Sequence, residues 1–211
     1  MRTISVVLIL ALAAGLACAA GTTTGQLTSA NAQREETSFG DLTADALARV
    51  AGTTIALVPA VSFKSGTIPP GPVTAEAVRP LLTQPTESWA VVALTGRELR
   101  ETLERSVARA PQPHSGFLQV SGVTLTYDPA GPRNARIVSL TASGADVQPD
   151  ARYEVAMPLS LAKGGSGYFT IFREEDIVRS GSDQLVDVIV SFVEAHGEVS
   201  YTGQGRINVA A

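Results

Sequence analysis

Apolar positions recur at helical spacing in three stretches of the chain. Over 41–50, Leu42, Ala46, Leu47 and Val50 fall on one face and predict a helix. Leu99, Leu103 and Val107 do the same, and that helix should run to about Ala110. Its start is marked by Thr95-Gly96-Arg97-Glu98, a capping box in which the threonine hydroxyl accepts from the Glu98 amide while the glutamate reaches back. Over 183–196, Leu185, Val186, Ile189, Val190 and Val193 point inward, and Gly197 closes the helix. A shorter helix is predicted over 74–82. Apolar or alternating runs predict strands over 54–58, 89–94, 117–127, 136–141, 152–157 and 206–209. Between them, 65–73 holds Pro69, Pro70 and Pro72 with Gly66 and Gly71 and reads as a loop. Residues 21–33 are small and polar and read as a flexible lead-in. Helices and strands mix without strict alternation. The predicted class is α/β or α+β, with at least one largely antiparallel sheet, in a single domain over 34–211 preceded by a linker over 20–33.

The first residues change the picture at one end. Arg2 precedes an apolar run from Ile4 to Leu16, and Ala17-Cys18-Ala19 follows. This is the pattern of a signal peptide over 1–19, cleaved after Ala19, and it predicts an exported protein: periplasmic, secreted or at the cell surface. The run is short for a membrane span. Cys18 is the single cysteine, so the mature chain is expected to have no disulfide. Gly15 stands three residues before it, where a lipoprotein leader has a larger aliphatic residue, which makes lipid anchoring the weaker expectation.

Composition narrows the function classes. Of 211 residues, 45% are hydrophobic and 17% charged, enough to bury a core, and the net charge of −4 leaves no basic stripe for nucleic acid. The two histidines, His114 and His196, lack ligand spacing, so no metal site and no cofactor are expected. The acidic runs Glu35-Glu36 and Glu174-Glu175-Asp176 read as solvated faces.

The densest glycine cluster, Lys163-Gly164-Gly165-Ser166-Gly167-Tyr168, admits several chemistries. A phosphate loop needs its lysine after the glycines, and here Lys163 precedes them. A nucleophile elbow needs glycine where Tyr168 stands. Ser160-Leu161-Ala162-Lys163 matches S-x-x-K, but no K-T-G or S-D-N accompanies it.

Several stretches together resemble the C-terminal domain of the 5'-nucleotidase family. Gly40-Asp41-Leu42-Thr43-Ala44-Asp45-Ala46 is similar to its G-N-L-x-x-D-A helix start, and Ile55-Ala56-Leu57 to the strand before its N-G-G-G-I-R turn. Leu94-Thr95-Gly96-Arg97-Glu98-Leu99 is similar to L-T-G-x-x-L. Gly116-Phe117-Leu118-Gln119-Val120-Ser121-Gly122 is similar to G-x-F-L-Q-V-S-G, and Gly164-Gly165-Ser166-Gly167-Tyr168 to G-G-D-G-Y. The resemblance spans roughly 34–209 and implies a layered α-β-β-α domain.

In that family a two-metal phosphoesterase domain precedes this substrate-binding domain. Two aromatic rings sandwich the base, the aspartate of the glycine loop bonds the ribose hydroxyls, and arginines hold the phosphate. The resemblance therefore places the candidate ligand-binding residues at Phe63, Lys64, Ser160, Gly164, Gly165 and Ser166, with no catalytic residue. Ser166 replaces the loop aspartate, Ser160 and Pro85 stand where the rings belong, and Lys64 replaces an arginine; Lys64 keeps the charge without the planar fork. Arg34 is one step out of register, and Asp41 replaces an asparagine. Phe63 or Trp89 could supply a ring in place of those lost; core packing is the alternative for both. The expected function is a non-catalytic, exported domain linked to nucleotide binding and catabolism, with a degraded or repurposed nucleoside pocket. The alternative is the substrate-binding half of a split phosphohydrolase whose metallophosphoesterase is a separate chain. A decayed product without a ligand is the third reading.

Overall fold

The computed structural model describes residues 20–210. The expected signal peptide and Cys18 lie outside them. Eight main strands, β1 (Ile55–Pro59), β2 (Trp89–Thr95), β3 (Leu118–Ser121), β4 (Val123–Tyr127), β5 (Ile137–Ala142), β6 (Arg152–Pro158), β7 (Ile177–Gly181) and β8 (Ile207–Val209), combine with three helices, α1 (Ser38–Ala51), α2 (Gly96–Val107) and α3 (Leu185–His196). The central sheet has the order β7-β2-β6-β1-β3. Its β6–β1 pair is parallel and its other pairs are antiparallel. A second sheet joins Ala145–Asp146, β5, β4 and β8, with β8 parallel to β4. Helix α1 lies across β1, β3 and β6 and carries α3 on its flank, while α2 packs against β2 and β5 and bridges the two sheets. This is a mixed α/β domain with helices outside its sheets.

Local chemistry sets the helix ends. Thr37 caps α1 by accepting from the Gly40 amide at 3.2 Å, and Gly52, at φ 65°, turns the chain out of it. The capping box of α2 forms as predicted: Glu98 Oε2 accepts from the Thr95 amide at 2.7 Å, and Thr95 Oγ1 accepts from the Glu98 amide at 3.3 Å. Strand β1 is buried at every position, as expected for a strand covered on both faces.

Four expectations need correction. The run over 117–127 is two strands, because Gly122, at φ 72°, turns the chain out of the central sheet into the second one. A Cβ at Gly122 would strike the Thr54 carbonyl. Gly122→Ala should therefore cost about 2–3 kcal/mol, combining left-handed strain with overpacking; a loss below about 0.5 kcal/mol in urea unfolding would contradict this reading of the turn. The lead-in is not a flexible linker. Thr22–Thr23 pairs with Glu198–Val199 and Gly71–Pro72, Leu27–Thr28 pairs with Thr67–Ile68, and Leu27 and Ala32 are buried. The same pairings put two short strands into the proline-rich loop over 65–73. Val50 is 38% exposed, at the solvent edge of the face predicted to bury it.

Candidate functional site

Strands β1 and β6 run parallel side by side, so their carboxyl ends open on the same edge of the central sheet. The segment after β1 is a single 3-10 turn, Ala60–Ser62, leading to Phe63 and Lys64. The segment after β6 is the one-turn helix Leu159–Ala162, leading into the glycine loop. Antiparallel neighbours bring two more segments to this edge. Leu118 at the start of β3 pairs with Pro59, and Trp89 at the start of β2 pairs with Pro158. All the segments carrying candidate ligand residues thus meet at one edge, where α/β sheets place ligands.

Hydrogen bonds knit this edge together. The Val61 amide donates to the Ser115 carbonyl at 2.9 Å, and the Ala60 amide to the Phe117 carbonyl at 2.7 Å. The Leu159 amide donates to the Ser88 carbonyl at 3.0 Å, and the Ser160 amide to Glu87 Oε1 at 3.0 Å. The glycine loop closes against the 113–117 loop: Tyr168, fully buried, donates its hydroxyl to the Gly116 carbonyl at 2.7 Å. Burial raises the Tyr168 phenol well above its ordinary value, against the nearby Arg105 charge. The Arg105 guanidinium lies 5.5 Å from the Tyr168 ring centre, and Phe172 stacks on that ring with centroids 5.5 Å apart.

His114 is a structural part of this edge. Its Nδ1 accepts from the Gly116 amide at 3.2 Å, so Nε2 carries the proton toward the Ser106 carbonyl at 2.6 Å. Burial lowers its pKa, opposed by the Ser106 carbonyl and assisted by the charges of Arg109 and Arg105.

The six residues singled out in the sequence fall in two groups. Phe63 lines a cavity of about 330 Å³ together with Asn31, Arg34, Ser65 and Pro113. Its ring is only 8% exposed and meets Phe39 edge-on at 5.8 Å. Lys64 is exposed beside it, and its carbonyl accepts from Ser29 Oγ at 2.6 Å. Ser160, Gly164, Gly165 and Ser166 lie across the 113–117 loop and do not line that cavity. Ser166 sits in the left-handed region at φ 56°, and Gly116 abuts its carbonyl. Lys163 pairs with Glu174 at 2.8 Å and leaves no bond to Ser160, so the S-x-x-K match has no amine–hydroxyl contact behind it.

Of the two rings weighed as replacements, Trp89 is core. It is 8% exposed, packs over Gly181, and donates Nε1–H to Asp183 Oδ2 at 3.1 Å. The exposed aromatic at this edge is Phe169, at 69%, directly after Tyr168. Nothing in the Tyr168-Phe169 pair distinguishes the buried ring from the open one. Arg34 donates Nη2–H to Asn31 Oδ1 at 3.0 Å and is brought to the cavity wall by a turn that the lead-in reading misses. Among the described residues no group of three or more His, Cys, Asp or Glu is arranged to hold a metal ion, and no helix is long and apolar enough to cross a membrane.

The shared motif residues of α1 and β3 have clear structural work of their own. Gly40 leaves room for Gln119, which is fully buried and satisfied on all sides. Gln119 Oε1 accepts from the Thr37 amide at 2.8 Å, and its Nε2 donates to the carbonyls of Ala32 at 3.0 Å and Glu35 at 2.8 Å. Asp45 on α1 receives both Nη groups of Arg206, at 2.7 and 2.8 Å, along with the hydroxyls of Ser121 at 2.6 Å and Tyr201 at 2.8 Å. Burial alone would raise the Asp45 carboxyl, but Arg206, Ser121 and Tyr201 together hold it below its ordinary value.

Comparison with known proteins agrees with this arrangement. Residues 19–174 match the family described as "5'-nucleotidase, C-terminal domain". The chain is similar to the 5'-nucleotidase of Bos taurus, 30% identical over 132 residues, which are 59% of this chain and 23% of the relative. It is likewise similar to a snake venom 5'-nucleotidase of Naja atra, 27% identical over 59% of this chain and 25% of that protein. It thus spans about a quarter of the length of these relatives. The crystal structure of a 5'-nucleotidase precursor from Thermus thermophilus superposes with a TM-score of 0.80 at 27% identity, over 90% of this chain and 39% of that one. An NAD nucleotidase from Haemophilus influenzae shares the fold at 16% identity, with a TM-score of 0.75 over 90% of this chain and 38% of that one. The chain belongs to the 5'-nucleotidase C-terminal domain family.

Proposed function

We propose that this chain is an exported, nucleotide-related ligand-binding domain that does not carry out phosphoester hydrolysis by its own residues, and that its nucleoside pocket is altered from the family's. The observation that carries the reading is the shared sheet edge. The turn after β1, the loop before β3 and the glycine loop converge there, while the side chains that would grip a nucleoside have changed. Ser166 offers a hydroxyl where a carboxylate would take two ribose hydroxyls. Phe63 is buried, 8% exposed and packed at 77° to Phe39, so little of its ring is open to a stacking base. Arg34 and Lys64 leave cationic character at the edge, suited to an anionic group on a small ligand. The leader pattern over 1–19 supports export.

A thermal-shift panel of nucleosides, mononucleotides and nucleotide sugars tests this. A ligand at 100 times its dissociation constant adds about 2.7 kcal/mol, or roughly 5–10 °C for a domain of this size. The expected pattern is a response to mononucleotides exceeding that to nucleosides. Ser166→Asp should then raise adenosine affinity about tenfold or more, since a charge-assisted hydrogen bond contributes about 1.5–3 kcal/mol and aspartate tolerates the left-handed backbone. Unchanged adenosine affinity in that variant would remove the glycine loop from ribose recognition.

A division of labour is the second reading. The chain matches about a quarter of the length of its relatives, and phosphoester chemistry could be supplied by a metallophosphoesterase on a separate chain. Turnover of a nucleotide by the purified chain, lost on mutation within 20–210, would overturn both readings.

A further inference from the structure

Asp41, the second residue of the Gly40-Asp41 helix start, is 1% exposed, and neither of its carboxylate oxygens has a hydrogen-bond partner among the described residues. The same is true of Glu36 Oε1. The other oxygen of Glu36 is fully engaged: Oε2 accepts from the amides of Arg206 at 2.6 Å and Ile207 at 2.8 Å, holding the start of β8. The groups that face Asp41 are Glu35 and Glu36 from the segment before α1, Asp45 one turn along α1, and Tyr201 and Arg206 from the C-terminal segment. Arg206 is the one cation among them. Its Nη atoms are committed to Asp45, and its Nε stands 3.8 Å from Asp41 Oδ1, beyond hydrogen-bond length. One guanidinium therefore faces three carboxyl groups, and the two that it leaves unbonded, Asp41 and Glu36, line one cavity with buried oxygens that lack a partner.

Two carboxylates that meet in a buried place repel, and each can only accept. A proton resolves both problems at once. We propose that the Asp41 carboxyl keeps its proton and donates it to Glu36 Oε1, forming a pH-sensitive latch that fastens the C-terminal segment 201–209 to the start of α1. The proton neutralises the surplus charge and turns one acceptor into a donor. It also orients Glu36, whose other oxygen then holds the two backbone amides that open β8. The latch opens onto a cavity of about 770 Å³ lined by Glu36, Asp41, Tyr201, Gly205 and Ile207, through which water can reach the pair when the proton leaves.

The electrostatics agree in direction. Burial pushes the Asp41 carboxyl up from 3.8 to about 8; Arg206 opposes this, and the charges of Glu36 and Asp45 and the bond to Glu36 add to it. A carboxyl raised in the folded state contributes stability that is fully present below its unfolded value of 3.8 and is lost as pH rises through about 8. His114, lowered by burial, acts in the opposite sense near neutrality, so the latch is read from a difference between variants.

The test compares the wild-type protein with Asp41→Asn across about pH 5 to 8.5 by thermal unfolding. Asparagine is the residue of the family motif at this position; it cannot titrate, and its amide donates to Glu36 Oε1 at every pH. The wild-type melting temperature should fall on the order of 5–10 °C relative to D41N over that range. The infrared carbonyl band of a protonated carboxyl should be present in wild type at about pH 6 and absent in D41N. Glu36→Gln, in which the amide donates to an ionised Asp41, should abolish the same band if D41N proves poorly folded. Parallel melting curves for wild type and D41N, or no carboxylic acid band, would overturn the latch. A calcium-dependent rise in melting temperature above about pH 8, present in wild type and absent in D41N, would overturn it in favour of a cation site.

Discussion

Arg206→Ala should cost on the order of 3–5 kcal/mol of folding stability, since it leaves a largely buried carboxylate without its counter-charge. The side chain of Arg206 is 15% exposed and that of Asp45 22%, so water can reach the pair only in part. The guanidinium meets Asp45 with two bonds at 2.7 and 2.8 Å and donates a third to the Val120 carbonyl at 2.8 Å. Its removal leaves Asp45 with two hydroxyls, from Ser121 and Tyr201, that were arranged to supplement a cation rather than replace it. Asp41 and Glu36 then face Asp45 with no cation among them, so the loss is shared by three carboxyl groups. In a domain of this size the change corresponds to a fall in melting temperature of roughly 6–20 °C. Arg206→Lys should recover only part, since an ammonium cannot satisfy both Asp45 oxygens and the carbonyl in one plane. A loss below about 1 kcal/mol on urea unfolding of R206A would mean that the cluster behaves as an exposed ion pair.

Tyr168→Ala is expected to cost about 3–5 kcal/mol, the range for emptying a large aromatic from a core. Tyr168 is fully buried, stacks on Phe172, and lies under the Arg105 guanidinium. Its hydroxyl is the side-chain bond that ties the glycine loop to the Gly116 carbonyl. Tyr168→Phe separates the two contributions. It keeps the ring and leaves the Gly116 carbonyl unpaired, for about 1–3 kcal/mol. The alanine variant should also free the Gly164–Gly167 turn, giving faster amide exchange there than at β1. If Y168A unfolds with wild-type stability, the loop is held by its own backbone and the tyrosine is incidental.

Most of the scaffold is legible in the sequence, and the misreadings share a physical origin. The capping box of α2 is a local device, with donor and acceptor three residues apart, so Thr95 and Glu98 announce it unaided. The close of α3 at Gly197 and the buried run of β1 are legible because they too are local patterns. Residues 20–33 read as flexible because their partners are remote: Thr22–Thr23 finds its neighbours at Gly71–Pro72 and Glu198–Val199. Polar residues that look unable to pay for folding are ordered by a sheet edge supplied from elsewhere. Gly122 likewise reads as part of one strand until the Thr54 carbonyl is in view. Strand β7 leaves no clear pattern because its burial alternates only between half-buried and exposed.

The site is legible as a set of loops and not as a set of contacts. The motif order places the right segments at one sheet edge, since that depends on connectivity. How deeply Phe63 is buried depends on packing against Phe39, 24 residues earlier in the chain, and no spacing rule carries that information. Glu36 reads as part of a solvated acidic run; it holds the amides of Arg206 and Ile207 instead. A charge run predicts solvation only when no distant backbone lies in wait for one of its members.

The clasp between α1 and the C-terminal segment also bears on the order in which the domain assembles. Asp45 and Arg206 are separated by 161 positions, and Thr22 meets Gly197 across 175. Long closures of this kind are unfavourable until much of the intervening chain is in place, and they slow folding. Helix α1 precedes the other long helices of the domain, yet Asp45 finds its cation only when nearly the whole domain has been made. Until then the helix carries unneutralised charge on a face destined for burial. The domain should therefore stay open through most of its synthesis and close late.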